Sequence, residues 1–94
     1  MTGHLNRDRI DAHAKLLTSI AGELDAGERV PCVGNPERWQ SEDPAEQEAA
    51  AHGCQSCAAL DACRRYVTAH PEPEGIWAGL KFRDQKRLHR EVNR

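Results

Sequence analysis

The chain carries four cysteines, Cys32, Cys54, Cys57 and Cys63, spaced C-x21-C-x2-C-x5-C. No other feature limits its fold as strongly, because little else can hold it together. Leu, Ile, Val and Phe number fifteen of 94 residues, and that share lies below the roughly 20% at which independent folding becomes doubtful. Alanine supplies thirteen of the 36 apolar residues, and an alanine side chain buries little area. The formal charge of −2 is too small for a chain kept open by self-repulsion. The expectation is a single domain, residues 1–94, closed by a metal, a cluster or disulfides.

The N-terminal stretch MTGHLNRDRID is polar and holds no apolar h-region, so no signal peptide is expected. No apolar run approaches the ~20 residues of a membrane span. A cytoplasmic location follows as the expectation. In that reducing compartment, clustered thiols more often bind metal or do redox chemistry than form lasting disulfides.

Periodicity and punctuation predict an all-α architecture of about four helices. Residues 8–26 show Ile10, Ala14, Leu17, Ala21 and Leu24 at alternating steps of four and three, with Leu16 and Ile20 widening the stripe. Gly27 is placed to end that helix, which makes residues 1–27 the N-terminal segment. Residues 28–42 read as loop, with Cys32 in it. Asp43, Pro44 and Glu46 form a helix start, with Asp43 as cap and Pro44 at the first helical position. That helix should reach about Ala51 or His52 and stop at Gly53. A third runs from Ala58 to Ala69, ahead of Pro71 and Pro73. Gly75-Ile76-Trp77-Ala78-Gly79 reads as a tight turn, and residues 80–94 as a basic fourth helix. There is no alternating strand pattern.

Charge is unevenly spread. Residues 1–80 hold seven basic and thirteen acidic side chains, whereas residues 81–94 hold six basic and two acidic. An acidic body with a basic tail (Lys81, Arg83, Lys86, Arg87, Arg90) fits a tail that meets phosphate, or simply a solvated helix end.

Two cysteines separated by two residues at a turn can reach one centre, as in zinc and iron–sulfur sites. Cys63 sits one helix further on, beside Leu60 and Val67, and Cys32 arrives from a distant loop. Ligation of all four would tie three segments together, and the binding free energy would become folding free energy, on the order of 10–16 kcal/mol for structural zinc. Spacing alone leaves zinc and iron–sulfur equally open, with disulfides less favoured. His52 and His70 flank the cysteines and are as readily explained as helix-end residues. A lone C-x-x-C also raises a disulfide reductase, but the βαβ context such motifs need is missing.

At these residues the chain resembles the WhiB-like transcription factors of actinobacteria and their phages. The full cysteine pattern carries the resemblance together with the turn Gly75–Gly79, twelve residues after the last cysteine, and the basic segment behind it. Residues 28–79 form the matching cluster-binding region and tryptophan turn. The family turn is usually written G-[VI]-W-G-G, so Ala78 departs from it, and a methyl there opposes the left-handed backbone that glycine allows.

The resemblance implies a [4Fe-4S] cluster on Cys32, Cys54, Cys57 and Cys63, and a small all-α fold wrapped around it. It implies a non-enzymatic regulator of transcription that binds region 4 of the principal sigma factor of RNA polymerase. Some family clusters respond to oxygen or nitric oxide, and several members bind DNA through the basic segment. Trp77, Ile76, Gly75, Gly79 and Trp39 are the candidate partner-binding residues. Promoter DNA is a weaker expectation, through Lys81, Arg83, Lys86, Arg87 and Arg90, because Asp84 and Glu91 interrupt the tail and no Arg-Gly-Arg hook is present. Trp39 and Trp77 are also the two large aromatics available to cover a cluster.

Overall fold

Helix punctuation decides most of the architecture. The computed structural model describes the backbone of residues 2–93 and the side chains of residues 7–93. Arg94, counted in the basic tail, lies outside the described residues. Six helices run in order: α1 (Thr2–Asp25), α2 (Pro31–Gly34), α3 (Pro36–Trp39), α4 (Pro44–Cys54), α5 (Leu60–Ala69) and α6 (Phe82–Val92). Among the described residues there is no strand, only an isolated bridge between Trp77 and Leu80. No helix among them is long and apolar enough to cross a membrane.

The ends of α1 and α4 follow from their sequences. Gly27, at φ +82°, stops α1. Its N–H donates to the Leu24 carbonyl at 3.0 Å and that of Glu28 to Glu23 at 2.9 Å, the paired bonds of a Schellman cap. Asp43 caps α4 by accepting the Glu46 N–H at 3.1 Å, with Pro44 at its first position. Residues 28–42 are not all loop. Pro31 and Pro36 each open a four-residue helix, because a proline loses nothing at the first helical position. Cys32 therefore sits in α2. Gly53 does not end α4, which continues to Cys54.

The face that α1 buries differs from the expected stripe. Ile10, Leu17 and Leu24 are exposed, at 65%, 51% and 41%, and Ala14 and Ala21 are exposed with them. Leu16 is buried, with Ala12 and Ile20 packed beside it against α5. Two apolar rows run along this helix about a quarter-turn apart, and only contact with α5 selects between them.

The core has two parts. Leu16, Tyr66, Val67 and Ala78 form one, with Cys63 and Trp77 at its margin. Trp39, Ala50, Cys54 and Ile76 form the other, with Cys32 at its margin. Leu60 touches both. Across the back, α6 packs on α5. Its Gln85 is fully buried and clamps two loops: Oε1 accepts the Glu72 N–H at 2.7 Å, and Nε2 donates to the Leu80 carbonyl at 3.0 Å. Glu72, itself buried, accepts from the Tyr66 hydroxyl and from Arg9 of α1, the latter at 2.6 Å.

The tryptophan turn corrects the expectation for Ala78. Ala78 takes the left-handed conformation, φ +53°, and Gly79 follows at +78°. Trp77 and Leu80 exchange both backbone hydrogen bonds around them, at 3.0 and 2.8 Å. Positive φ at both central positions is what a type I′ hairpin turn requires. An L-residue pays about 1–2 kcal/mol there. The Ala78 methyl offsets part of that by packing among Leu16, Tyr66 and Val67.

Candidate metal centre

All four cysteines converge on one cavity between the two core clusters. The cavity measures about 230 Å³ and is lined by Cys32, Cys54, Cys57 and Cys63 together with apolar groups that include Ile20, Val30, Trp39, Leu60 and Ile76. A space of that size, lined mainly by apolar groups, is far beyond a packing defect.

Each segment reaches the cavity by a traceable route. Pro31 starts the turn that carries Cys32. Cys54 is the last residue of α4. The chain then turns through Gln55 and Ser56, and the Cys57 N–H donates to the Cys54 carbonyl at 3.1 Å. The Ala58 N–H donates to the Arg29 carbonyl at 3.0 Å, fastening the C-x-x-C turn to the loop just before Cys32. Cys63 lies on the first turn of α5. The Ile76 N–H donates to the Trp39 carbonyl at 2.9 Å, which fastens the tryptophan turn to α3.

The four thiols are free and none forms a disulfide. Burial raises three of them. Cys63 is pushed up to about 12, mainly by burial and then by the negative charge Cys54 would carry. Cys32 is raised by burial and then by Cys57 and Cys54. Cys57 is raised by burial, against the pull of the Ala59 N–H, which donates to its sulfur at 3.3 Å. The proximity of these thiols raises one another's cost of ionisation, and a bound cationic metal core would remove that cost.

Among the described residues no three histidine, cysteine or carboxylate side chains converge tightly enough to hold one metal ion. The four thiols reach the cavity from separate segments, an arrangement compatible with a thiolate-bound metal or cluster. His52 is exposed, and His70 stacks near Tyr66, 5.8 Å between ring centroids.

The remaining candidates fall into different environments. Trp39 is 7% exposed, its indole Nε1–H donating to Cys54 Sγ at 3.3 Å. That placement suits contact with the cysteines rather than with a partner. Ile76 is buried, and Gly75 and Gly79 are half-buried. Trp77 is half-buried and donates to the Glu74 carbonyl at 2.8 Å. Its ring lies near Tyr66 and His13, at 5.7 and 6.3 Å between centroids. Lys81, Arg83, Lys86, Arg87 and Arg90 are all exposed on or beside α6. Asp84 draws on two of them, at 3.6 Å from Arg83 and 3.8 Å from Arg87, and Lys86 sits 4.5 Å over the Phe82 ring. Gln85, Glu72, Tyr66 and Arg9 hold the site from behind. No motif marks them, and the only signal is that a glutamine and a glutamate fall on positions where a helix and a loop meet the core.

Comparison with known proteins decides the family. Residues 27–88 match the family described as transcription factor WhiB. The chain belongs to the WhiB family. Among its WhiB-family relatives is a protein named transcriptional regulator WhiB2 of Mycolicibacterium smegmatis, 39% identical over 66 residues, covering 69% of this chain and 51% of that protein. WhiB2 of Mycobacterium tuberculosis is 34% identical over 58 residues, 62% of this chain and 65% of its own length. WhiB7 of Mycolicibacterium smegmatis is 37% identical over 51 residues, 53% of this chain and 50% of its own length. The chain thus spans about half the length of the Mycolicibacterium relatives it matches. No solved structure matches it significantly.

Proposed function

We propose that this WhiB-family chain holds a [4Fe-4S] cluster on Cys32, Cys54, Cys57 and Cys63 and, so organised, binds region 4 of the principal sigma factor to repress transcription. One observation carries the reading: four free thiols from three separate segments line a single apolar cavity of about 230 Å³. When bound, the cluster supplies a one-electron couple and a target for oxygen or nitric oxide. The chain's own residues do the rest. The Ala59 N–H and the Trp39 indole donate to cysteine sulfurs, and Ile20, Val30 and Ile76 keep the site apolar.

The partner-facing element is the tryptophan turn. Its two ends meet the cysteine region, through the Ile76 N–H bond to Trp39 and through Gly79, where an added Cβ would stand 3.5 Å from the Ala51 carbonyl oxygen and 3.7 Å from the Cys54 Cβ. Ile76 is buried, so the half-buried Trp77 is the anchor that turn can offer a partner. Tryptophan is enriched at interface hot spots. Repression is favoured over activation by the tail. Asp84 partly neutralises Arg83 and Arg87, which weakens independent phosphate tracking on promoter DNA. Occupying the sigma domain is then the chain's main effect.

The test is a titration of sigma region 4 with cluster-loaded wild type and Trp77→Ala at matched iron content. Loss of an anchor costs about 2 kcal/mol, roughly thirtyfold in Kd. Undiminished affinity removes Trp77 from the interface.

A further inference from the structure

We propose that Trp39 is a positioning residue for the cluster ligand Cys54, and that its indole N–H sets how readily the cluster accepts an electron. The inference rests on the cluster reading above and adds to it a function for one side chain. A buried tryptophan needs a partner for its N–H. Here that partner is Cys54 Sγ, at 3.3 Å. Sulfur is a weak acceptor as a thiol and a much stronger one as a thiolate, since charge-assisted hydrogen bonds are about twice as strong as neutral ones. The contact therefore gains most when Cys54 carries the negative charge of a ligand. Hydrogen bonds to cluster sulfurs are among the factors that set reduction potential. A donor stabilises the more negative, reduced state and raises the potential.

The surroundings hold the indole in that position. Gly53 lies under the ring, and a Cβ there would stand 3.0 Å from Cη2 and 3.1 Å from Cζ2. A glycine inside α4 costs roughly 0.5–1 kcal/mol relative to alanine, and seating this ring is the physical return. The Trp39 carbonyl is held by the Ile76 N–H at 2.9 Å. Arg38 of α3 pairs with Glu46 of α4 at 2.9 Å, and Asn35 caps α3 through the Arg38 N–H at 3.4 Å. The Ala59 donor to Cys57 is a backbone group that substitution cannot remove. Trp39 is a side-chain donor, so the sequence can tune it.

Trp39→Phe keeps an aromatic ring and deletes the N–H. Both proteins are loaded anaerobically, their iron and acid-labile sulfide measured, and their midpoint potentials determined by redox titration. The inference expects equal loading and a lower midpoint in the variant, so that its reduced-to-oxidised ratio at the wild-type midpoint falls several-fold. A tenfold fall corresponds to 59 mV for one electron. Equal loading with an unchanged midpoint overturns it. Should the variant not take up iron, hydrogen exchange of the Trp39 indole in loaded wild type decides: a protected proton supports the bond, and free exchange overturns it. Wild type without iron and sulfide would instead overturn the cluster reading itself, which keeps the two failures distinct.

Discussion

Gly75→Ala tests whether the tryptophan turn and α3 are locked together. Gly75 stands at φ +86°, and a Cβ there would lie 2.9 Å from Gln40 Nε2 and 3.0 Å from the Trp39 carbonyl oxygen. The left-handed conformation costs an L-residue about 1–2 kcal/mol. Gln40 is exposed and its amide can swing away. The Trp39 carbonyl cannot, because it accepts the Ile76 N–H at 2.9 Å. Relieving the contact means stretching that bond, worth about 1 kcal/mol. The sum is roughly 2–3 kcal/mol, large beside the 5–15 kcal/mol of a typical domain. Urea unfolding of cluster-loaded protein, followed by circular dichroism, reads it. With an m-value of about 1–1.5 kcal/mol/M, the midpoint should fall by roughly 2 M. Gly22→Ala, in the last turn of α1 with nothing within 4 Å of the added methyl, should instead stabilise by up to about 1 kcal/mol. A Gly75→Ala protein as stable as wild type would falsify the lock.

Two further outcomes follow from the buried groups. Gln85→Met keeps side-chain length but orphans the Glu72 N–H, which Gln85 satisfies at 2.7 Å. It should cost about 1–3 kcal/mol by the same urea assay, and an unchanged midpoint would show that the clamp contributes nothing. Iron-free protein should lose stability between about pH 9 and 12. Cys63 is lifted from 9.0, and Tyr66 from 10.0, each to about 12 and each mainly by burial. The unfolded chain therefore releases these protons first, so the stabilisation is complete below pH 9 and is lost as pH climbs through the folded values. A melting temperature flat across that window would contradict the burial of both groups.

Local signals in the sequence were sufficient for the end of α1 and the start of α4. Asp43, Pro44 and Glu46 announce α4, and Gly27 closes α1, because capping is decided within a few residues. The four cysteines pointed to one site for a similar reason: few other groups could close so small a core. Tertiary choices were not legible. Ile10, Leu17 and Leu24 form as regular a row as Leu16 and Ile20, and periodicity cannot say which row meets α5. The short helices around Cys32 depend on Pro31 and Pro36 starting turns that loop composition conceals. Ala78 accepts a strained backbone because its methyl is buried, a gain visible only once α1 and α5 are in place. Trp39 drew attention as a large aromatic, yet its bond to Cys54 needed Gly53 beneath the ring, and Trp39 lies fourteen residues from Gly53 and fifteen from Cys54.

Iron, acid-labile sulfide and zinc per chain, measured on protein purified without oxygen, test the central claim most directly. A cluster gripped by the four thiols predicts iron and sulfide in equal amounts and no stoichiometric zinc. Zinc without sulfide, or a folded chain that binds the proposed target, sigma region 4, undiminished with neither metal present, would contradict it.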